Sequence, residues 1–186
     1  PLDLDALQKW KVADELLTHR RRLGTGWDVD ALARWDRAQR RRGAVPPLAF
    51  AEKSLADAGD LVDGILTAAA ALVGDALEQA RLAPVDVLVD RPDSDPVRVL
   101  GQVDGVVGGR AVSLTASRLK DRDLLAAWVK AALLSAQDPT QRWEVVTIGR
   151  GRKGDGVGVE RVALRSPAAA AEVLSVAVDL HRRVQC

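Results

Sequence analysis

Val85-Asp-Val-Leu-Val-Asp90, Val97-Arg-Val-Leu-Gly-Gln-Val-Asp-Gly-Val-Val107 and Arg110-Ala-Val-Ser-Leu-Thr115 are the stretch on which the fold turns. In the first run, valine recurs at every second position, the period of a strand with one buried face. The segment Arg91-Pro-Asp-Ser-Asp-Pro96 after it is a turn by composition. Gly108-Gly109 divides the second run from the third, and two glycines suit a tight hairpin turn. A three-stranded meander is therefore predicted.

Towards the C-terminus the period lengthens. A helix is predicted over 121–136, with Leu124, Leu125, Trp128, Ala132 and Leu133 on its inner side and Pro139 just past its end. Trp143 to Ile148 reads as a fourth strand, 149–156 as a loop and Val157 to Leu164 as a fifth strand. Ser166 is placed to cap a last helix with Pro167 at its first position, running to about Val184.

Towards the N-terminus the first 82 residues read as helix. Asp3 or Asp5 caps a segment with Leu7, Trp10 and Leu17 on its apolar face, ending in Arg20, Arg21, Arg22 and Gly24. A second helix starts near Asp28 or Asp30, carries Leu32 and Trp35, and ends in Arg40, Arg41, Arg42 and Gly43. Arginines there complement the negative end of a helix dipole in a solvated last turn; contact with DNA or protein is the alternative. Pro46-Pro47 breaks the chain. A long segment from Leu48 to Arg81 follows, with Leu55, Val62, Ile65, Leu66, Leu72 and Leu77 on one face and a kink or break near Gly74. The whole reads as an α/β protein, with a helical part over 1–82 and a sheet core with helices over 83–186, together one compact domain.

Composition narrows the function. With 186 residues, 47% of them hydrophobic, the chain can bury a real core. It is too apolar and too near neutral for a disordered chain. Its single cysteine, Cys186, excludes a disulfide scaffold and a Cys-rich zinc module. No charge-free apolar run of about 18 residues and no secretory leader occur, so the expected compartment is the cytoplasm, with no membrane partner. A formal charge of +1 argues against nucleic-acid binding by the surface as a whole. The basic residues are 21 Arg and 6 Lys, and there are 30 Ala. That balance reflects GC-rich coding, or a use of arginine forks on phosphates and carboxylates. The chain starts at Pro1 and contains no Met, which predicts a fragment of a longer polypeptide.

Catalytic signals are few. His19 and His181 sit beside arginines in the last turns of predicted helices and read as solvated or capping residues. There is no Ser-His-Asp arrangement and no phosphate-cradling Gly-x-x-x-x-Gly-Lys-Ser/Thr loop. The segment from Gly149 to Gly158 is glycine-rich and basic but opens no helix. It reads as a flexible hairpin loop, or as a contact to a DNA backbone or an acidic partner through Arg150, Arg152 and Lys153. Trp10, Trp35 and Trp128 fall on apolar helix faces and are expected in the core; Trp27 is the ring expected to be exposed, where bases could stack.

Asp104, in Gly101-Gln-Val-Asp104, lies on the middle strand of the meander. That layout resembles the restriction-endonuclease-like nuclease core, in which an Asp is followed on the next strand by an acidic-x-Lys motif. Two carboxylates there hold Mg²⁺, because one alone binds it weakly in water. Here the next strand, Ala111-Val-Ser-Leu-Thr-Ala-Ser117, has neither acid nor Lys, and Lys120 and Asp121 lie beyond its end. The expectation is an inactive nuclease core: no catalytic residue, no metal, no cofactor, and Asp104 as a vestigial position. The alternative is an active nuclease with migrated ligands, pairing Asp104 with Asp121, Asp123 or Glu144.

The chain also resembles the C-terminal domain of RecC, the gamma subunit of exodeoxyribonuclease V, in its actinobacterial form. The likeness rests on Leu4-Asp-Ala-Leu-Gln-Lys-Trp10, Ala13-Asp-Glu-Leu-Leu17, Arg42-Gly-Ala-Val-Pro-Pro-Leu48, Val99-Leu-Gly-Gln-Val-Asp-Gly105, Ser113 to Leu119, the Trp128 helix and Trp143-Glu-Val-Val-Thr-Ile-Gly149, in that order. The resemblance implies a nuclease-like fold without its nuclease site, in a subunit that holds two helicase motors together and helps to split duplex DNA. It implies docking to the alpha (RecD-like) subunit, a beta (RecB-like) subunit in the same complex, and DNA. Hotspot reading belongs mainly to the family's upstream part, so no hotspot-reading residue is assigned here.

Overall fold

The computed structural model describes residues 5–24, 28–43, 49–91, 94–154 and 156–185. The helices are α1 (Ala6–Leu23), α2 (Val29–Arg41), α3 (Ala49–Val73), α4 (Asp121–Gln137) and α5 (Pro167–Gln185). The strands are β1 (Arg81–Arg91), β2 (Ser94–Val107), β3 (Arg110–Arg118), β4 (Glu144–Arg150) and β5 (Val157–Ala163). The strands form one sheet in the order β1-β2-β3-β4-β5. This is a mixed α/β fold with flanking helices, as the sequence predicts. The predicted Pro46-Pro47 break and the positions of Trp27 and Cys186 lie outside the described residues.

The chain gathers into two compact units. The first comprises Pro1–Leu72, Leu114–Arg118 and Gly149–Gly158, and the second Val73–Ser113, Leu119–Ile148 and Val159–Cys186.

In the first unit, Asp5 caps α1 through a reciprocal pair: its Oδ1 accepts from Gln8 N at 2.8 Å, and Gln8 Oε1 accepts from Asp5 N at 3.0 Å. Asp28 caps α2, accepting from Ala31 N at 2.7 Å. The buried stripes are Val12, Ala13, Leu16 and Leu17 on α1, Ala31 and Trp35 on α2, and Ala58, Val62, Ile65 and Ala69 on α3. Leu7 and Leu32, predicted on the apolar faces, are exposed. Leu7 stands about two and a half turns before the buried Leu16, which turns it to the opposite side of the helix. Gln39 is buried and donates to Glu15 Oε2 at 2.8 Å, joining α2 to α1.

Gly74 has φ +57° and ends α3, where the sequence placed a kink or break. The helix does not continue to Arg81 as predicted. A 3₁₀ turn covers Gly74–Gln79, and Arg81 already pairs with Val106 as the first residue of β1.

In the second unit, β1 and β2 are antiparallel, with Val87 opposite Val99 and Asp86 opposite Leu100. Of the predicted turn, Arg91 belongs to β1 and Ser94, Asp95 and Pro96 to β2, while Pro92 and Asp93 lie outside the described residues. β3 returns antiparallel through the Gly108-Gly109 turn, with Val107 opposite Arg110. Glu144 N donates to Gly109 O at 3.0 Å, which sets the start of β4 beside the start of β3 after the α4 crossover. Val85, Val103, Val106, Ala111, Val145 and Val162 of the sheet pack on Ala127, Ala131 and Leu134 of α4. Val87 and Val89 pack with Ala132, Ala170 and Leu174. Ser166 Oγ accepts from Ala169 N at 3.2 Å, capping α5 as predicted.

The inner face of α4 departs from expectation. Leu125 and Trp128 are exposed, while Ala127 and Ala131 are buried. Alanines let the helix axis approach the sheet closely, so the small-residue stripe faces in with Leu134, and Leu125 and Trp128 turn outward.

Candidate functional site

Asp104 stands near the end of β2, followed by Gly105 at φ +72°. Any Cβ at Gly105 would collide with the carbonyl oxygen of Val112 on β3. Glycine is thus required both for the backbone conformation and for the close approach of the two strands. This brings Asp104 near Ser113 of β3, and Lys130 reaches both from α4. Its Nζ donates to Asp104 Oδ1 at 2.7 Å and to Ser113 Oγ at 2.9 Å. The Lys130 side chain is 28% exposed and that of Asp104 58%, so solvent screens the pair.

These residues do not fit a divalent cation. One carboxylate alone binds such an ion weakly in water. Here β3 supplies a hydroxyl, and an ammonium already lies against the one carboxylate. Among the described residues, no three His, Cys, Asp or Glu side chains gather as a metal site. Two of the three migrated partners considered for Asp104 are engaged elsewhere. Asp123 Oδ2 accepts from Lys120 N at 2.8 Å at the start of α4. Glu144 accepts from Arg110 Nε at 2.7 Å, with Arg161 Nη1 at 3.8 Å. The sequence reading passed over Lys130, although it is the only charged residue between Leu124 and Gln137. A lone charge in an apolar helix is the signal that could have found it.

The basic loop between β4 and β5 is closed by its own backbone. Gly151 N donates to Gly156 O at 3.1 Å and Gly154 N to Gly151 O at 2.8 Å. The three predicted cations are not equivalent. Arg152 and Lys153 are exposed. Arg150 is half-buried and lines a cavity of about 450 Å³ with Lys9, Ser54, Asp57 and Asp60, where it faces carboxylates as well as another cation.

The arginine runs are also divided. Arg20 pairs with Asp63 of α3, and burial lowers its guanidinium pKa. Arg40 Nε holds Asp36 at 3.0 Å, one turn back. Arg21, Arg22, Arg41 and Arg42 are exposed, as are His19 and His181. Of the tryptophans, Trp35 is buried, Trp10 and Trp143 are half-buried, and Trp128 is exposed against expectation. Among the described residues, no helix is long and apolar enough to cross a membrane.

The profile of the RecC C-terminal domain matches residues 1–186. The RecBCD enzyme subunit RecC of Mycobacterium tuberculosis, in two strains, is 33% identical over 152 residues, covering 82% of this chain. The RecBCD enzyme subunit RecC of Mycolicibacterium smegmatis is 32% identical over 160 residues, covering 86%. The chain spans 13% and 14% of the length of these relatives, respectively. With a match from end to end and two mycobacterial relatives above 30% identity, the chain belongs to the RecC C-terminal domain family.

Proposed function

We propose that this chain is a non-catalytic scaffold and DNA-channel domain of a RecBCD-type helicase–nuclease, acting in double-strand break repair and homologous recombination in the cytoplasm. Its core is read as a restriction-endonuclease-like fold whose hydrolytic site has been lost. The observation that carries this reading is Lys130. Its ammonium bridges Asp104 on β2 and Ser113 on β3, where metal-dependent hydrolysis would need a second carboxylate and an ion. Family membership supplies the setting. The partners are an alpha, RecD-like subunit docked on this domain, a beta, RecB-like subunit, and DNA, with catalysis residing in the other chains.

Co-purification with the alpha subunit of the same organism, read by size exclusion, tests the scaffold reading. A stable one-to-one complex is expected. A folded domain that elutes alone, both by itself and within the full-length subunit, would overturn alpha-subunit docking. Incubation with nicked plasmid in Mg²⁺ or Mn²⁺ tests the loss of catalysis. Metal-dependent cleavage that disappears in Asp104→Ala would replace this reading with the active nuclease.

A further inference from the structure

The β4–β5 loop shares its surface with a residue that its own sequence does not contain. A methyl group placed on Gly154 would stand 2.5 Å from Arg118 Nη2, 3.1 Å from Cζ and 3.3 Å from Nε. The Arg118 guanidinium, at the end of β3, therefore occupies the space beside Gly154 that a side chain there would fill, its Nη2 end nearest. Gly154 has φ +89°, a conformation that a side chain would also resist. Arg118 is exposed, and among the described residues it has no carboxylate at ion-pair distance. Arg150, by contrast, turns into a cavity that Asp57 and Asp60 also line. Lys9 and Arg150 stand against Asp57 and Asp60 there, so the cavity offers an anion no excess of positive charge, whereas Arg118, Arg152 and Lys153 are exposed.

We propose that Arg118, with Arg152 and Lys153, forms a contact surface for the phosphodiester backbone of nucleic acid, and that Arg118 rather than Arg150 is its third cation. The inference rests on the DNA-channel reading and names the residues that would carry it. A planar guanidinium packed beside a glycine has part of its side-chain freedom already restricted by that neighbour. It presents its remaining N–H groups to phosphate oxygens with little further loss of side-chain freedom. Gly154, half-buried beside it, and the exposed Gly156 carry no side chain that would hold a sugar-phosphate chain away. Contacts of this kind position a strand and read no sequence.

The test is the salt dependence of DNA binding by the assembled complex. Two probes are used, an oligodeoxythymidylate and a blunt duplex, both without nucleotide so that no motor moves. Arg118→Ala should lower the slope of log affinity against log salt by about 0.7 if the contact is to single strand, and by about 0.9 if it is to duplex. At about 0.1 M salt this is roughly a fivefold loss of affinity for the single strand, or roughly an eightfold loss for the duplex. Arg118→Lys should keep the slope, and Arg150→Ala should change it less than Arg118→Ala. Arg118→Gln serves if the alanine variant fails to fold. An unchanged slope in Arg118→Ala beside a reduced one in Arg152→Ala/Lys153→Ala would overturn this inference and leave the channel reading standing. No change in either variant would overturn both. Loss of binding to polyglutamate with DNA binding intact would make the surface a protein contact and overturn the proposal.

Discussion

Lys130 on α4 holds Asp104 on β2 through a 2.7 Å hydrogen-bonded ion pair across 26 residues of sequence. The same ammonium reaches Ser113 on β3, so one side chain ties a helix to two neighbouring strands. An ammonium and a divalent cation compete for the same carboxylate. Lys130 thus gives the strand pair a permanent counter-charge that needs no ion.

Removing that charge should have a small effect on stability. Lys130→Met keeps most of the aliphatic stem, and the Asp104 side chain is 58% exposed, open to hydration. A loss of about 0.5–1 kcal/mol is expected, the upper range for a partly exposed pair. Urea denaturation monitored by tryptophan fluorescence measures it. A loss above about 3 kcal/mol would mean that the pair behaves as a buried one. On the proposed reading the variant should not cleave DNA in Mn²⁺, because removing Lys130 supplies no second carboxylate.

Gly105→Ala should destabilise far more than Gly108→Ala. Both glycines have positive φ, at +72° and +55°. The strain of that conformation costs about 1–3 kcal/mol for a residue with a side chain. Only at Gly105 does the added carbon also strike a β3 backbone carbonyl, whereas Gly108 has nothing within 4 Å. Denaturation midpoints of the two variants compare them directly, and equal losses would contradict the close strand approach.

Ser166→Ala should cost about 1 kcal/mol, the usual value of a lost N-cap. The Ser166 hydroxyl satisfies Ala169 N, and α5 packs against α4 and β1 through Leu174 and Ala170. Ser166→Asp should retain the stability, since its carboxylate accepts the same bond and complements the helix dipole. Parallel losses in both variants would show that the cap contributes nothing.

Legibility followed the range of the interaction. Local signals spoke plainly: alternating Val85, Val87 and Val89, the cap Ser166 and the Gly74 stop stand where the sequence put them, and Asp5 and Asp28 are each one of the two caps it offered. Facing was read less well. Trp128 and Leu7 went to the wrong side because size suggested burial, whereas packing chose the alanine stripe of α4 and the Leu16 face of α1. The site was half legible. Asp104 carried a motif, but its partner Lys130 is brought to it by the crossover helix, and no spacing encodes that. The same holds for Arg118 beside Gly154, and for the half-buried place of Arg150 next to the exposed Arg152 and Lys153.

Acid should reveal two carboxylates. The Arg98 guanidinium, at 2.8 and 2.6 Å through Nε and Nη2, lowers the pKa of Asp86 below its ordinary value of 3.8. The Thr140 hydroxyl at 2.6 Å and backbone N–H at 3.1 Å do the same for Asp138. A folded-state pKa below the unfolded one means that the unfolded chain binds protons first on acidification. The stabilisation is complete above the ordinary value and is lost as pH falls through the lower folded one. Both groups are open to solvent, so the effect is modest and falls below about pH 4. Melting temperature should therefore decline less steeply below that pH in Asp86→Asn/Asp138→Asn than in the parent chain, with little difference in slope at neutral pH. Identical acid limbs would show that neither carboxylate is held by its partner in solution.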